Sequence, residues 1–278
     1  MNRGKGQIFS SLGGYTIVET LIFLAVSGLM FFSTMLLIGG QQNKTQFVSA
    51  VRDFETQLKD VANNVSTGYY DRPTNLSCTI NGAYPDPQVG GDTIGSSGNC
   101  MFVGVVVKLG NGPDGELEKY STIPMAGLRL AAGLNKDVKD LSQARPTVVS
   151  PSVETKSFQY GARVGGVSVN GGPFTNAAIG FFAKLRGTDD VTQGGTLQTD
   201  VLTYNAISPD QDVASTTTSI NAETFGYDTS TMAGIMNPNG VTICLLSGGT
   251  DQHALIKLGG NGGRLTIISE IHQGGSCS

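Results

Sequence analysis

Few residues in this chain could do chemistry, and they are scattered. Two histidines and four cysteines occur in 278 residues, with no tryptophan. His253 alternates within an apolar run and His272 precedes a short tail, so each reads as a surface or packing residue rather than a base. No G-x-S-x-G, H-E-x-x-H or phosphate loop is present. Gly259–Gly263 is glycine-rich, but it joins two strand-like runs and lacks the helix N-terminus that a phosphate cradle requires. Asp114, Glu116 and Glu118 around a turn, or Asp210 and Asp212, could offer oxygens to calcium, although solvated turn acids are the commoner case. The expectation is therefore no enzyme, no cofactor and no metal. Cys78, Cys100, Cys244 and Cys277 lack the closely spaced pairs of a zinc site. Their even count allows three disulfide pairings, with buried free thiols as the alternative. Sequence proximity favours Cys78–Cys100 and Cys244–Cys277, each stabilising by about 3–4 kcal/mol on the loop-entropy model.

Composition narrows the function classes. With 14% charged residues, charge-driven disorder is excluded, and 39 glycines without a three-residue period exclude collagen. Eighteen Lys and Arg against 22 Asp and Glu leave a formal charge of −4, too little positive field for a nucleic-acid binder that relies on one. These averages hide a division near residue 66. Positions 1–66 hold none of the ten prolines, whereas 32 of the 39 glycines lie beyond them.

The first part reads as continuous helix behind a short basic leader. Residues 1–14 carry charge only from Arg3 and Lys5, which keeps that end cytoplasmic by the positive-inside rule. Thr20–Ile38 is a run of nineteen uncharged residues, about 28 Å as helix and close to the hydrocarbon thickness. It exceeds the apolar region of a cleaved secretory signal and lacks an A-x-A site. Beyond Gly39-Gly40, apolar residues recur at Phe47, Val51, Phe54, Leu58, Val61 and Val65, the spacing of one amphipathic stripe, flanked by Arg52, Asp53, Glu55, Lys59 and Asp60. The whole helix, Ile17 to Val65, would be on the order of 70 Å long. Glu19 stands at its cytoplasmic lip. A carboxylate in a membrane helix costs a few kcal/mol, so it calls for a partner.

Gly14-Tyr15-Thr16-Ile17-Val18-Glu19-Thr20-Leu21-Ile22 resembles the class III signal of type IV pilins and pseudopilins. That resemblance spans the leader, the apolar run and the amphipathic continuation. It implies cleavage between Gly14 and Tyr15 by a prepilin peptidase/methylase, which would leave Glu19 as the fifth residue and remove Arg3 and Lys5. Tyr15 stands where phenylalanine is commonest, and Gly28, Gly39 and Gly40 replace the usual helix-breaking proline. In a bundle of staggered helices the new Tyr15 amine of one chain would lie near the Glu19 carboxylate of another. A wrong register would leave both charges unpaired, which makes Glu19 an assembly register key.

Past residue 66 the pattern is strands and turns. Runs at Cys100–Leu109, Glu116–Ile123, Val153–Tyr160, Arg163–Asn170, Ala177–Leu185 and Thr199–Ala206 are bounded by Gly, Pro, Asn and Asp. Residues 207–240 read as a long surface excursion. Val241–Leu246, His253–Leu258 and Arg264–Glu270 predict a closing three-stranded meander. The expected fold is α+β: a long N-terminal helix packed on a β-rich head with antiparallel sheets. Its parts are a leader 1–14, a polymerisation helix 15–40, an amphipathic continuation 41–66 and a head 67–278. The meander, with Ile243-Cys244 and Gly263-Arg264, resembles the C-terminal sheet of minor pilins and H-type pseudopilins. Some such pilins bind DNA through two arginines spaced by one residue. Here Arg264 is followed at that spacing by Thr266, and Lys257 and Arg264, the candidate nucleic-acid contacts, are balanced by Asp251 and Glu270, so DNA is the lesser expectation.

The resemblance implies a structural subunit of a type IV pilus-like filament, a single-pass cytoplasmic-membrane precursor that becomes extracellular. A head of this size favours a minor pilin serving adhesion, motility or assembly. Its partners would be other pilin subunits, the peptidase/methylase, the cytoplasmic membrane, and a host or surface ligand. The alternatives are a type II secretion pseudopilin and a DNA-binding competence pilin.

Overall fold

The apolar run and the amphipathic stripe form a single element, helix α1, Ile17–Thr67. A computed structural model describes residues 16–68, 76–81, 84–89, 100–111, 116–130, 138, 141–149, 152–174, 178–183, 199–204, 240–259, 265–274 and 276–277. The chain divides into two compact units between Asn43 and Lys44.

In the first unit every described side chain up to Met35 is exposed, including Ile17, Phe23 and Leu29. Ile17–Met35 has a mean hydropathy of 1.9 and is long and apolar enough to cross a membrane or to serve as a signal sequence.

Among the described residues the second unit has three antiparallel sheets. Strands β1 (Leu76–Asn81) and β2 (Tyr84–Val89) form a hairpin. The largest sheet runs β5 (Thr147–Val148), β4 (Glu116–Leu128), β3 (Cys100–Asn111), β8 (Ala178–Ala183), β9 (Thr199–Tyr204), with β6 (Glu154–Ser157) also on β4. The last sheet is ordered β12 (Thr266–Gln273), β11 (Gln252–Gly259), β10 (Val241–Leu246), β7 (Arg163–Val169). A short helix α2 covers Leu141–Ala144. The class is α+β. The closing meander is β10–β11–β12, and β7 extends it on the far side of β10.

The principal core draws on both large sheets and on α1 beyond Lys44. Phe47, Val51, Phe54, Leu58 and Val65 are buried in one cluster with Val105 and Val107 of β3, Phe181 of β8 and Ile243 of β10. Each such side chain contributes about 1.5–3 kcal/mol by leaving water. Phe54 meets Tyr120 and Phe158 edge to face, at centroid distances of 5.0 and 4.9 Å. A second cluster, with Val106, Ile123, Met125 and Phe182, lies against Leu141 and Ala144 of α2. Strand β3 is thus buried on both faces, which is why its sequence is a nearly continuous apolar run instead of an alternation.

Strand β4 continues to Leu128, beyond the expected end at Ile123, although Pro124 lies in it. Along its outer edge β6 pairs with Lys119–Thr122 and β5 with Met125–Ala126. Pro124 occupies the gap between them, where only its carbonyl is used, by the Val149 N–H at 2.9 Å. A missing donor costs nothing at that point.

Candidate functional site

Glu19 lies in the first turn of α1, preceded by Thr16, the residue before the helix begins. The Glu19 N–H donates to Thr16 Oγ1 at 3.3 Å, so Thr16 caps the helix. Thr16-Ile17-Val18-Glu19 has the spacing of a capping box, a signal present in the sequence but overshadowed there by the apolar run. Thr16, Val18, Glu19, Ile22, Phe23 and Val26 line a shallow depression on the helix surface. Glu19 is exposed, as are its apolar neighbours. This segment offers a ring of hydrocarbon with one carboxylate at its start, a surface chemically suited to lipid or to another apolar helix. Gly14 and Tyr15 lie outside the described residues.

Further along α1, polar contacts reach the strands. Ser269 of β12 donates to the Glu55 carboxylate, which also holds Lys59 one helical turn on. Burial pushes the Glu55 carboxyl up, but the hydrogen bonds from Lys59 and Ser269 and the charges of Lys59 and Arg52 outweigh it, leaving its pKa below the ordinary value. Tyr120 donates its hydroxyl to Gln57 Oε1. Burial and the nearby Asp53 charge push that phenol up to about 12 despite the bond to Gln57.

Cys244 of β10 and Cys277 are joined by a disulfide with a Cα–Cα distance of 6.0 Å, which ties the C-terminal tail to the last sheet. Gly165 of β7 makes room for it: a Cβ there would sit 2.4 Å from Cys277 Sγ and 3.3 Å from Cys244 Sγ. Cys100, at the start of β3, is also disulfide-bonded. The Cys78 side chain lies outside the described residues.

Of the two candidate nucleic-acid contacts, Arg264 lies outside the described residues. Lys257 Nζ forms an ion pair with Glu270 Oε2 at 2.7 Å. That contact, the Lys257 charge and a weaker pull from His272 hold the Glu270 carboxyl below its ordinary pKa. Asp114, Asp210 and Asp212 also lie outside the described residues, as does the excursion up to residue 239, whereas Glu118 is an exposed residue of β4. Among the described residues no group of three or more His, Cys, Asp and Glu gathers as a metal cage.

Two features escaped the sequence reading. Lys108, the single cation in the β3 run, is fully buried opposite Ser121 of β4, whose hydroxyl meets that of Thr155 at 2.8 Å. The chain's only two histidines, 19 positions apart, stand directly opposite each other on β11 and β12. Comparison of the chain with protein-family models, with curated proteins and with solved structures finds no match.

Proposed function

We propose that the chain is a structural subunit of a type IV pilus-like filament, a minor pilin whose head serves adhesion, motility or assembly. In this reading residues 1–14 are removed by a prepilin peptidase/methylase at Gly14–Tyr15. The long helix is held in the cytoplasmic membrane as a single-pass precursor and then packs with the helices of other subunits in an extracellular filament. The head carries the ligand-facing surface. The observation that carries the proposal is the exposed apolar segment Ile17–Met35 with Glu19 as its single charged residue. Such a surface requires a cover, and its lone carboxylate requires a cation, which a neighbour's Tyr15 amine would supply. A type II secretion pseudopilin would share these features, and secreted substrates with an outer-membrane secretin would favour it. The pairing of Lys257 with Glu270 leaves the DNA-binding reading with less charge to offer phosphate.

The test combines mass spectrometry of sheared surface filaments with two substitutions. A peptide beginning at methylated Tyr15 is expected; a mature chain beginning after residue 40 overturns the proposal. Glu19→Ala is expected to leave insertion and cleavage intact and to remove the subunit from filaments. Glu19→Gln keeps a capping acceptor but no charge, so it separates register pairing from helix capping. Wild-type filament content in Glu19→Gln would reduce Glu19 to a cap and sink the pairing argument.

A further inference from the structure

His253 and His272 form a cross-strand pair on the β11–β12 hairpin. Their ring centroids are 5.2 Å apart. Two imidazoles bound through nitrogen at about 2.0–2.1 Å to one tetrahedral ion place their centroids about 5 Å apart, so the backbone register already sets the spacing of a shared ligand. The rings lie 21° from parallel, and the His272 ring is exposed.

A second, independent observation concerns His253. Its Nδ1 is hydrogen-bonded to the Gly274 carbonyl. This is the outer contact that metal-binding imidazoles characteristically make: it fixes the tautomer with the proton on Nδ1 and leaves the Nε2 lone pair free to bind. The Gly274 carbonyl is itself held in place. Gly274 has φ +105°, a conformation L side chains rarely adopt, and its N–H donates to the Asp251 carbonyl at 2.8 Å. Three residues later the tail is fastened by the Cys244–Cys277 disulfide. Glu270, two residues from His272 on the same face of β12, has Oε2 3.7 Å from His272 Nε2 and adds negative charge beside the pair. Lys257 neutralises part of that charge.

The geometry points to a binding site for one divalent transition ion, of the imidazole-seeking kind represented by Zn2+, clamped between His253 Nε2 and His272, with water completing the shell. Two imidazoles and water make an exchangeable site, not a structural cage, and the ion would cross-link the last two strands of the head. This assignment is independent of filament assembly.

The test uses the full-length chain in detergent, titrated with Zn2+ alone against a competing chromogenic indicator. One ion per chain is expected, with His253→Ala and His272→Ala each weakening binding tenfold or more, on the order of a lost ligand or outer contact. Cu2+ as a second probe should show two nitrogen ligands by electron paramagnetic resonance in the wild type and one in His272→Ala. Both histidines are at least partly exposed, and unchanged far-ultraviolet circular dichroism of the variants would show that they fold. Saturation at one ion per two chains, wild-type affinity in either variant, or no saturable Zn2+ binding overturns the proposal.

Discussion

The two units of this chain use the same apolar residue types to opposite ends. In Ile17–Met35, Leu, Ile, Phe and Met surround the helix and all are exposed. In α1 from Lys44 to Thr67 the large apolar residues, Phe, Val and Leu, keep to one side, and that stripe is buried to within a few per cent at Phe47, Val51, Phe54 and Leu58. An all-round apolar surface cannot be satisfied by one neighbouring face and must be covered from every side, by lipid or by other helices. A stripe needs only one sheet layer. Patterning, more than hydrophobicity, therefore distinguishes a helix that needs an external cover from one that completes its own domain.

Substitutions can break that contrast. Phe54→Ala removes a ring packed against both Tyr120 and Phe158 and is expected to destabilise the body by about 3–5 kcal/mol, whereas Phe32→Ala, in the exposed segment, should change it by less than about 0.5 kcal/mol. Guanidinium unfolding of the full-length chain in detergent, followed by circular dichroism, measures both. Equal losses would erase the distinction between the units. Cys277→Ser opens a covalent link spanning 33 residues and should cost about 3–4 kcal/mol in the same assay, sharpening the picture of a body stapled at its C-terminal end. A loss no larger than that of a surface substitution would mean that the tail contributes nothing to the body's stability.

The smallest effect expected is at the polar link between α1 and β12. Because the folded Glu55 pKa lies below its ordinary 4.5, the stabilisation is present above about pH 4.5 and is lost as pH falls through the folded value. Glu55→Gln should therefore cost about 1 kcal/mol or less at pH 7, a cost that shrinks as the pH falls through the acid range, in urea unfolding across a pH series. A difference that did not shrink with falling pH would assign the effect to packing rather than to the carboxylate.

Much of the strand layout was legible because glycine, proline and asparagine punctuate the sequence between the strands, as at the Asn170-Gly171 turn after β7. The β1–β2 hairpin was not, since Pro85 and Pro87 argue against a strand; the pair tolerates them because, among the described residues, β2 pairs with β1 alone. The extension of β4 past Pro124 depended on the gap between two short edge partners, a fact about pairing that local sequence does not carry. The histidine pair shows the same limit more sharply. Taking Gly259–Gly263 as the loop would set His253 opposite Ser269, on the wrong face, whereas pairing of Gly259 with Thr266 brings it to His272. A shift of three positions in the loop decides whether two imidazoles meet.

By itself the sequence determined the apolar segment, its single carboxylate at Glu19, the amphipathic stripe from Phe47 to Val65 and the positions of most strands. All of these follow from periodicity and from residues that restrict the backbone locally. Only the tertiary structure decided that β7 joins β10, that β3 is covered on both faces, that Gly165 lies against a disulfide and that His253 faces His272. Each of those depends on register between segments distant in the chain, which is set by the sum of many packing contacts and by loop lengths rather than by any one residue.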